Sequence, residues 1–202
     1  MMSVIESIVP DKPDSRERMV RSAAVLFRRN GVEGTAFSEV IAHSGAPRGS
    51  IYHHFPGGKA ELAEEATRYA GDFVSAALAA ALAEDDPVAA LRGFSAVLGG
   101  ALEESGFEEG CPVVAAALEG ERLPEARAAA GEAIASWEEL LAGGFEANDV
   151  APGRARALAT LSVAAIEGAI VVARAQRSIE PIKRVGTELE RIAVEALEEA
   201  RG

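Results

Sequence analysis

Positions 48 to 59 read Arg-Gly-Ser-Ile-Tyr-His-His-Phe-Pro-Gly-Gly-Lys. Ile51 and Phe55 are one helical turn apart, so placing both inward leaves Arg48, Gly49, Ser50, Tyr52, His53 and His54 outside. That face is cationic, aromatic and polar, with no acidic residue. Arg48 and Ser50 can reach base edges in a major groove, and Arg48 can equally reach a phosphate. Tyr52, His53 and His54 can donate to phosphate oxygens. Lys59 falls at the expected start of the next helix, where helix dipole and cation both favour an anion. Other chemistries fit less well. Adjacent histidines do not share a helix face, which argues against a metal pair, and Gly57-Gly58-Lys59 lacks the Gly-x4-Gly-Lys spacing of a phosphate loop. No nucleophile triad, metal-ligand spacing or dinucleotide fingerprint occurs, and all three His lie in this N-terminal stretch. An enzyme would have to rely on a group such as Glu119 or Glu167. No metal site and no cofactor is expected.

Three short helices must position these residues. The first carries the one-sided stripe Val20, Ala23, Ala24 and Phe27. Asp14 precedes Glu17 by three, a start signal, and Asn30-Gly31 is a stop. The second turns Val40, Ile41 and Ala42 inward and ends at Gly45. The third is expected over Arg48 to Phe55. Two short helices about a Gly-containing turn make a helix-turn-helix, and the partner it implies is double-stranded DNA.

The stretch from Gly34 to the ending Gly49-Ser50-Ile51-Tyr52-His53-His54-Phe55 resembles the N-terminal DNA-binding domain of TetR-family transcriptional regulators, over residues 16 to 65. The segment from Phe55 to Lys59 is one residue longer than the usual Phe-x-x-Lys. With Gly110-Cys111-Pro112-Val113 downstream, this is similar to the LmrA/YxaF-like subgroup. Ala36 stands where the family often has a capping Thr, so Thr35 or Ser38 is expected to cap the second helix. The DNA-facing set is then Thr35, Ser38, Arg48, Gly49, Ser50, Tyr52, His53, His54 and Lys59. The resemblance further implies a homodimer, a small aromatic effector, and control of genes for efflux pumps or oxidoreductases.

Net charge is −12, which by itself argues against nucleic acid. Its distribution does not: residues 1–60 hold eight Lys/Arg against six Asp/Glu, leaving 12 against 26 for the remainder. A mildly basic head on an acidic body turns the head toward DNA. A hydrophobic share of 49% supplies a sizeable core, and an aromatic share of 5% with abundant Ala favours close-packed helices. The single Cys rules out an internal disulfide. No secretory signal is read at the N-terminus, and no uninterrupted apolar run reaches the ~18 residues of a membrane span. A cytoplasmic protein is expected, with no membrane partner.

The fold class is all-α, with about nine helices. Residues 1–15 are expected to be a flexible arm, 16–60 a helix-turn-helix domain and 61–202 a helical ligand-binding and dimerisation domain. The fourth helix, from Lys59 to about Ala83, should turn Leu62, Ala66, Tyr69, Phe73 and Ala77 inward. Pro87, Pro112, Pro124 and Pro152 each open a later helix. The eighth is apolar almost all round and must be covered on nearly every side. It and the one-sided ninth, in the resembled family, form a four-helix bundle with a second subunit. Leu158, Ile166, Ile170, Leu189 and Ile192 are the expected dimer residues. Tyr69, Phe73, Phe94, Phe107, Cys111, Trp137, Leu141, Phe145 and Ile166 are the expected pocket residues, although each fits a plain core equally well. A ligand wedged between the fourth helix and the Trp137–Phe145 segment would tilt that helix and change the spacing of two heads. The reading is a homodimeric repressor released from a palindromic operator by a hydrophobic or aromatic small-molecule effector. A constitutive DNA binder without effector fits the same residues.

Overall fold

The structure is a computed structural model that describes residues 14–84 and 86–201. Among the described residues there are nine α-helices and no strand. They are α1 (Ser15–Asn30), α2 (Phe37–Ser44), α3 (Ile51–His54), α4 (Gly58–Leu82), α5 (Pro87–Glu104), α6 (Pro112–Ala117), α7 (Pro124–Glu146), α8 (Pro152–Gln176) and α9 (Glu180–Arg201). The expected arm lies outside the described residues except for Asp14 and Ser15, and these belong to α1. Asp14 is its N-cap, accepting from the Glu17 N–H at 2.7 Å, and Ser15 is its first residue.

The head packs α1, α2 and α3 around Met19, Ala23, Phe27, Val40, Ile51 and Phe55. Burying a large apolar side chain of this kind contributes about 1.5–3 kcal/mol. Three local expectations change. First, α3 has four residues rather than eight. Its ladder begins only at Ser50, whose carbonyl accepts from His53 and His54, while Pro47 to Ser50 form a tight turn. Gly49 favours that turn over a helix interior. Second, of the inward trio on α2 only Val40 is buried; Ala42 is exposed. Third, neither Thr35 nor Ser38 caps α2. The cap position is Ala36, and the Glu39 carboxylate accepts from its N–H.

Behind the head, α4 packs on α7, α7 on α8, and α9 covers α8 and α5. Asp86 caps α5 by accepting from the N–H groups of Val88 and Ala89, with Pro87 in the first turn. The α4–α7 contact is close because Gly71 has no side chain. A Cβ there would meet the Ala133 Cβ at 2.6 Å, and the Trp137 indole N–H donates to the Gly71 carbonyl at 3.1 Å. The expected inward face of α4 is therefore rotated. Leu62, Ala66 and Ala70 are buried, but Phe73 is 69% exposed and Ala77 is also exposed.

By length and composition α8 is apolar enough to cross a membrane. In this fold one side of it packs on α7 and α9, burying Ala155, Leu158, Ala159, Ser162, Ile166, Ala169, Ile170 and Ala173. Leu189 of α9 is buried too, and Ile192 is half-buried. Four of the five residues expected to face a second subunit, Leu158, Ile166, Ile170 and Leu189, are thus used up inside the chain. Periodicity showed an apolar helix but not which of its apolar sides the chain itself covers.

Gly71→Ala should destabilise by about 1–3 kcal/mol, because overpacking outweighs the helix preference of Ala. Gly131, exposed on α7 with nothing within 4 Å of where a Cβ would sit, has no such conflict. Urea unfolding of both Ala variants at one protein concentration checks this contrast, and equal stabilities would contradict it.

Candidate functional site

The head exposes the side chains that the sequence points to. Arg48, Gly49, Tyr52 and His53 are exposed, and Ser50, His54 and Lys59 are half-buried. Tyr52, 70% exposed, is braced edge-on by Phe37 at 5.8 Å between ring centroids. Sequence reasoning missed that support; the signal was an aromatic at the first position of α2. The rings of His53 and His54 stand at 63° to each other. Thr35 is not on this face: it is 1% exposed, and its hydroxyl donates to the Gly31 carbonyl at 2.8 Å. Its role is to fold the α1–α2 turn. Ser38 is exposed at the start of α2.

The other head cations are mostly engaged within the chain. Arg16 pairs with Glu65 and lies over the Phe55 ring, while Arg21 pairs with Glu17. Arg28 and Arg29 both reach Glu109, and the Lys59 ammonium donates to the Glu33 carbonyl at 2.7 Å. Among the described head residues Arg48 alone of the cations makes no such contact. An exposed guanidinium held by no carboxylate is the group best suited to a guanine edge or a phosphate.

A second feature lies behind the head, a cavity of about 470 Å³. Seven of the expected residues line it: Tyr69, Phe73, Phe94, Cys111, Trp137, Leu141 and Ile166. Phe107 and Phe145 do not. Phe145 is fully buried core, and Phe107 sits in the α5–α6 loop with φ 66°. The cavity takes in both sides of the expected wedge, Tyr69, Ala70, Phe73, Val74 and Leu78 of α4 and Trp137 and Leu141 of α7, beside the point where those helices are clasped at Gly71. It is walled by α1, α4, α5, α7, α8 and the start of α6 with the loop before it. The α1 residues Arg21, Ala24, Val25 and Arg28 were missed as cavity lining; of them only Ala24 lies on the apolar stripe of α1.

One carboxyl enters this apolar wall. Burial pushes Glu167 up from its ordinary value, and the Cys111 thiol, its hydrogen-bond partner, opposes that only in part. Cys111 is pushed far up in turn, by burial first and by Glu167 second, which makes it a poor thiolate. Among the described residues no cluster of His, Cys, Asp and Glu is arranged to hold a metal ion.

A helix-turn-helix head on a helical body with an internal cavity defines a class of DNA-binding regulators. Residues 20–66 match the family described as bacterial regulatory proteins of the tetR family. Residues 87–188 match the C-terminal domain of LmrA/YxaF-like transcriptional regulators. The chain belongs to the TetR family of transcriptional regulators, within its LmrA/YxaF-like group. This is a family of regulators, not of enzymes. The chain is 38% identical over 193 residues to the HTH-type transcriptional regulator Rv0196 of Mycobacterium tuberculosis, covering 91% of this chain and 96% of that one. It is 31% identical over 176 residues to the HTH-type transcriptional regulator LmrA of Bacillus subtilis, covering 86% and 94%. Among solved structures it resembles a TetR regulator of Chloroflexus aurantiacus at TM-score 0.69 and 32% identity, covering 88% and 92%.

The Glu167 environment gives a pH prediction. A carboxyl raised in the folded chain holds its proton more tightly there than in the unfolded chain. The stability this adds is full below the ordinary value of 4.5 and is lost as pH rises through the folded value. Glu167→Gln lacks that loss. Its stability relative to the parent should be flat in acid and then climb with pH, by at most about 1.4 kcal/mol per pH unit. Urea unfolding across pH reads this, and a difference that does not change with pH would contradict it.

Proposed function

We propose that this chain is a homodimeric transcriptional repressor that leaves a roughly palindromic operator when a small apolar or aromatic molecule fills the cavity. The observation that carries the reading is the α1 wall. Arg21, Ala24, Val25 and Arg28 belong to a helix of the DNA head, and the same side chains line the cavity of the body. A ligand there touches both units at once. The multidrug binding protein EbrR, solved with proflavin, resembles this chain at TM-score 0.55 and 26% identity, which supports a flat aromatic ligand. A cavity of about 470 Å³ suits a drug-sized molecule. It also favours an effector over a constitutive binder. A DNA-bound regulator of this kind acts in the cytoplasm.

The dimer surface is the uncovered side of α8. Ala157, Leu161, Ala164, Gly168, Val172 and Ala175 are exposed and recur at steps of three or four residues, the spacing of a helix-pairing seam. Leu161 is 45% and Val172 43% exposed, and Val194 of α9 is 40% exposed. Small residues in the seam allow a partner helix to approach closely. Two heads on the resulting two-fold axis address half-sites about 34–36 Å apart.

Two tests follow. Leu161→Glu should give a folded particle of the 21.0 kDa chain mass by light scattering, whereas Ile170→Glu should fail to fold because it buries a charge inside one chain. A dimeric Leu161→Glu protein would contradict the seam. On an operator selected from a random duplex pool, Arg48→Ala should cost about 1–3 kcal/mol and relax preference at one base pair. Lys59→Ala should instead weaken all sequences alike and lower the salt slope by about one. Identical profiles for the two variants would overturn the assignment of Arg48 as base reader.

A further inference from the structure

Glu167 is a carboxyl in a wall built mostly of Phe73, Phe94, Trp137 and aliphatic side chains, which Arg21, Arg28, Tyr69 and Cys111 also line. Such a group is costly unless something compensates it. Its partner within the chain is the Cys111 thiol, a weak donor. Among the described residues no Lys, Arg or His pairs with it. The charges at the rim are already committed. Arg21 pairs with Glu17 and lies over the Tyr69 ring at 5.8 Å, and Arg28 pairs with Glu109 at 3.2 Å. Neither offers a free charge to an anion, and Glu167 would repel one. The aromatic rings around the cavity present negative faces, which attract a cation and not an anion. The Trp137 N–H is occupied by the Gly71 carbonyl, so this ring contributes no free donor.

We propose that Glu167 makes the cavity a receptor for organic cations, an ammonium or amidinium group carried on an apolar aromatic body. This deepens, and rests on, the reading of the cavity as the effector site. The cationic end meets Glu167 and the aromatic rings, and the apolar body fills the remainder. A bound cation supplies the pairing that the chain itself withholds from Glu167. It favours the ionised carboxylate, so any proton Glu167 carries in the empty cavity passes to solvent on binding.

The facing groups are few. Arg21 and Arg28 come from α1, Tyr69 from α4 and Cys111 from the loop before α6; the lining residues of α5 and α7 do not titrate near neutrality. Lowering pH therefore removes the attraction for a cation chiefly by protonating Glu167.

The test uses the full chain without DNA and three probes of one shape. They are naphthyltrimethylammonium, its uncharged isostere tert-butylnaphthalene, and naphthalene carboxylate. Calorimetric titration should show the ammonium binding about tenfold or more tightly than the isostere, the size expected of one desolvated cation contact, with the carboxylate weakest. Glu167→Gln should abolish that preference while leaving the isostere unchanged. Equal affinity of ammonium and isostere for the parent protein overturns the proposal and leaves the effector cavity standing. A preference retained in Glu167→Gln overturns it as well, since the rings alone would then select the cation. If no probe binds, the effector-site reading falls together with the proposal. Should Glu167→Gln not fold, the parent protein decides alone: its preference for the ammonium must shrink as pH is lowered, and a preference independent of pH overturns the proposal.

Discussion

The structure depends on how one loop is held to one helix of the DNA head. The Gly110 N–H donates to the Arg28 carbonyl at 2.7 Å, and the Arg28 guanidinium donates back to the Gly110 carbonyl at 3.3 Å. Glu109 receives Arg28 and Arg29 beside it. On the other side the same loop is held from the end of α8, where Arg174 donates to the Glu108 carbonyl and Arg177, just past the helix, to the Gly106 carbonyl, each at 2.9 Å. Gly110 permits this closeness, since a Cβ there would lie 2.7 Å from the Arg174 guanidinium. The loop thus ties α1 to the body beside the cavity. Each hydrogen bond contributes about 0.5–1.5 kcal/mol and each exposed ion pair under about 1 kcal/mol. On the proposed reading, the two hydrogen bonds and two ion pairs that join α1 to this loop are what a ligand must offset to shift the head, against ordinary coupling energies of about 1–3 kcal/mol.

The charge balance follows the same division of labour. An acidic body and internally paired head cations leave Arg48 as the exposed guanidinium at the turn before α3. With Arg48 as the proposed reader and few phosphate contacts, affinity for DNA would rest on geometry more than on bulk charge. Geometry is what a shift of α1 against the body would change, because in the proposed dimer two heads must match two half-sites together.

Much of the head was legible in the sequence because its signals are local. Asp14, Gly31, Ile51 and Phe55 act through neighbours within a turn or two, and α1 starts and stops where they imply. Helix boundaries marked by Pro87, Pro112, Pro124 and Pro152 were equally legible. What failed depended on contacts distant in sequence. Nothing near Gly71 in the sequence marks it, but its meeting with Ala133 fixes the rotation of α4 and turns Phe73 to the cavity mouth. Ile170 and Leu161 are equally apolar, and only the packing of α7 and α9 decides that the first is core and the second surface. Phe145 and Trp137 share a stripe, yet only Trp137 borders the cavity. Thr35 was read as a surface group because a hydroxyl near a helix start usually caps it; here it bonds backward to Gly31.

The central claim is that the cavity and the operator compete through α1. The direct measurement is the affinity of phenylnaphthylamine, a neutral dye that brightens in apolar surroundings, with and without saturating operator. Loss of the signal in Phe73→Trp, or competition by a second aromatic compound, assigns the dye to the cavity. The account predicts that operator weakens dye binding about 5–150-fold and that dye weakens operator binding by the same factor. A dye that fills the cavity with one affinity in both conditions would contradict it.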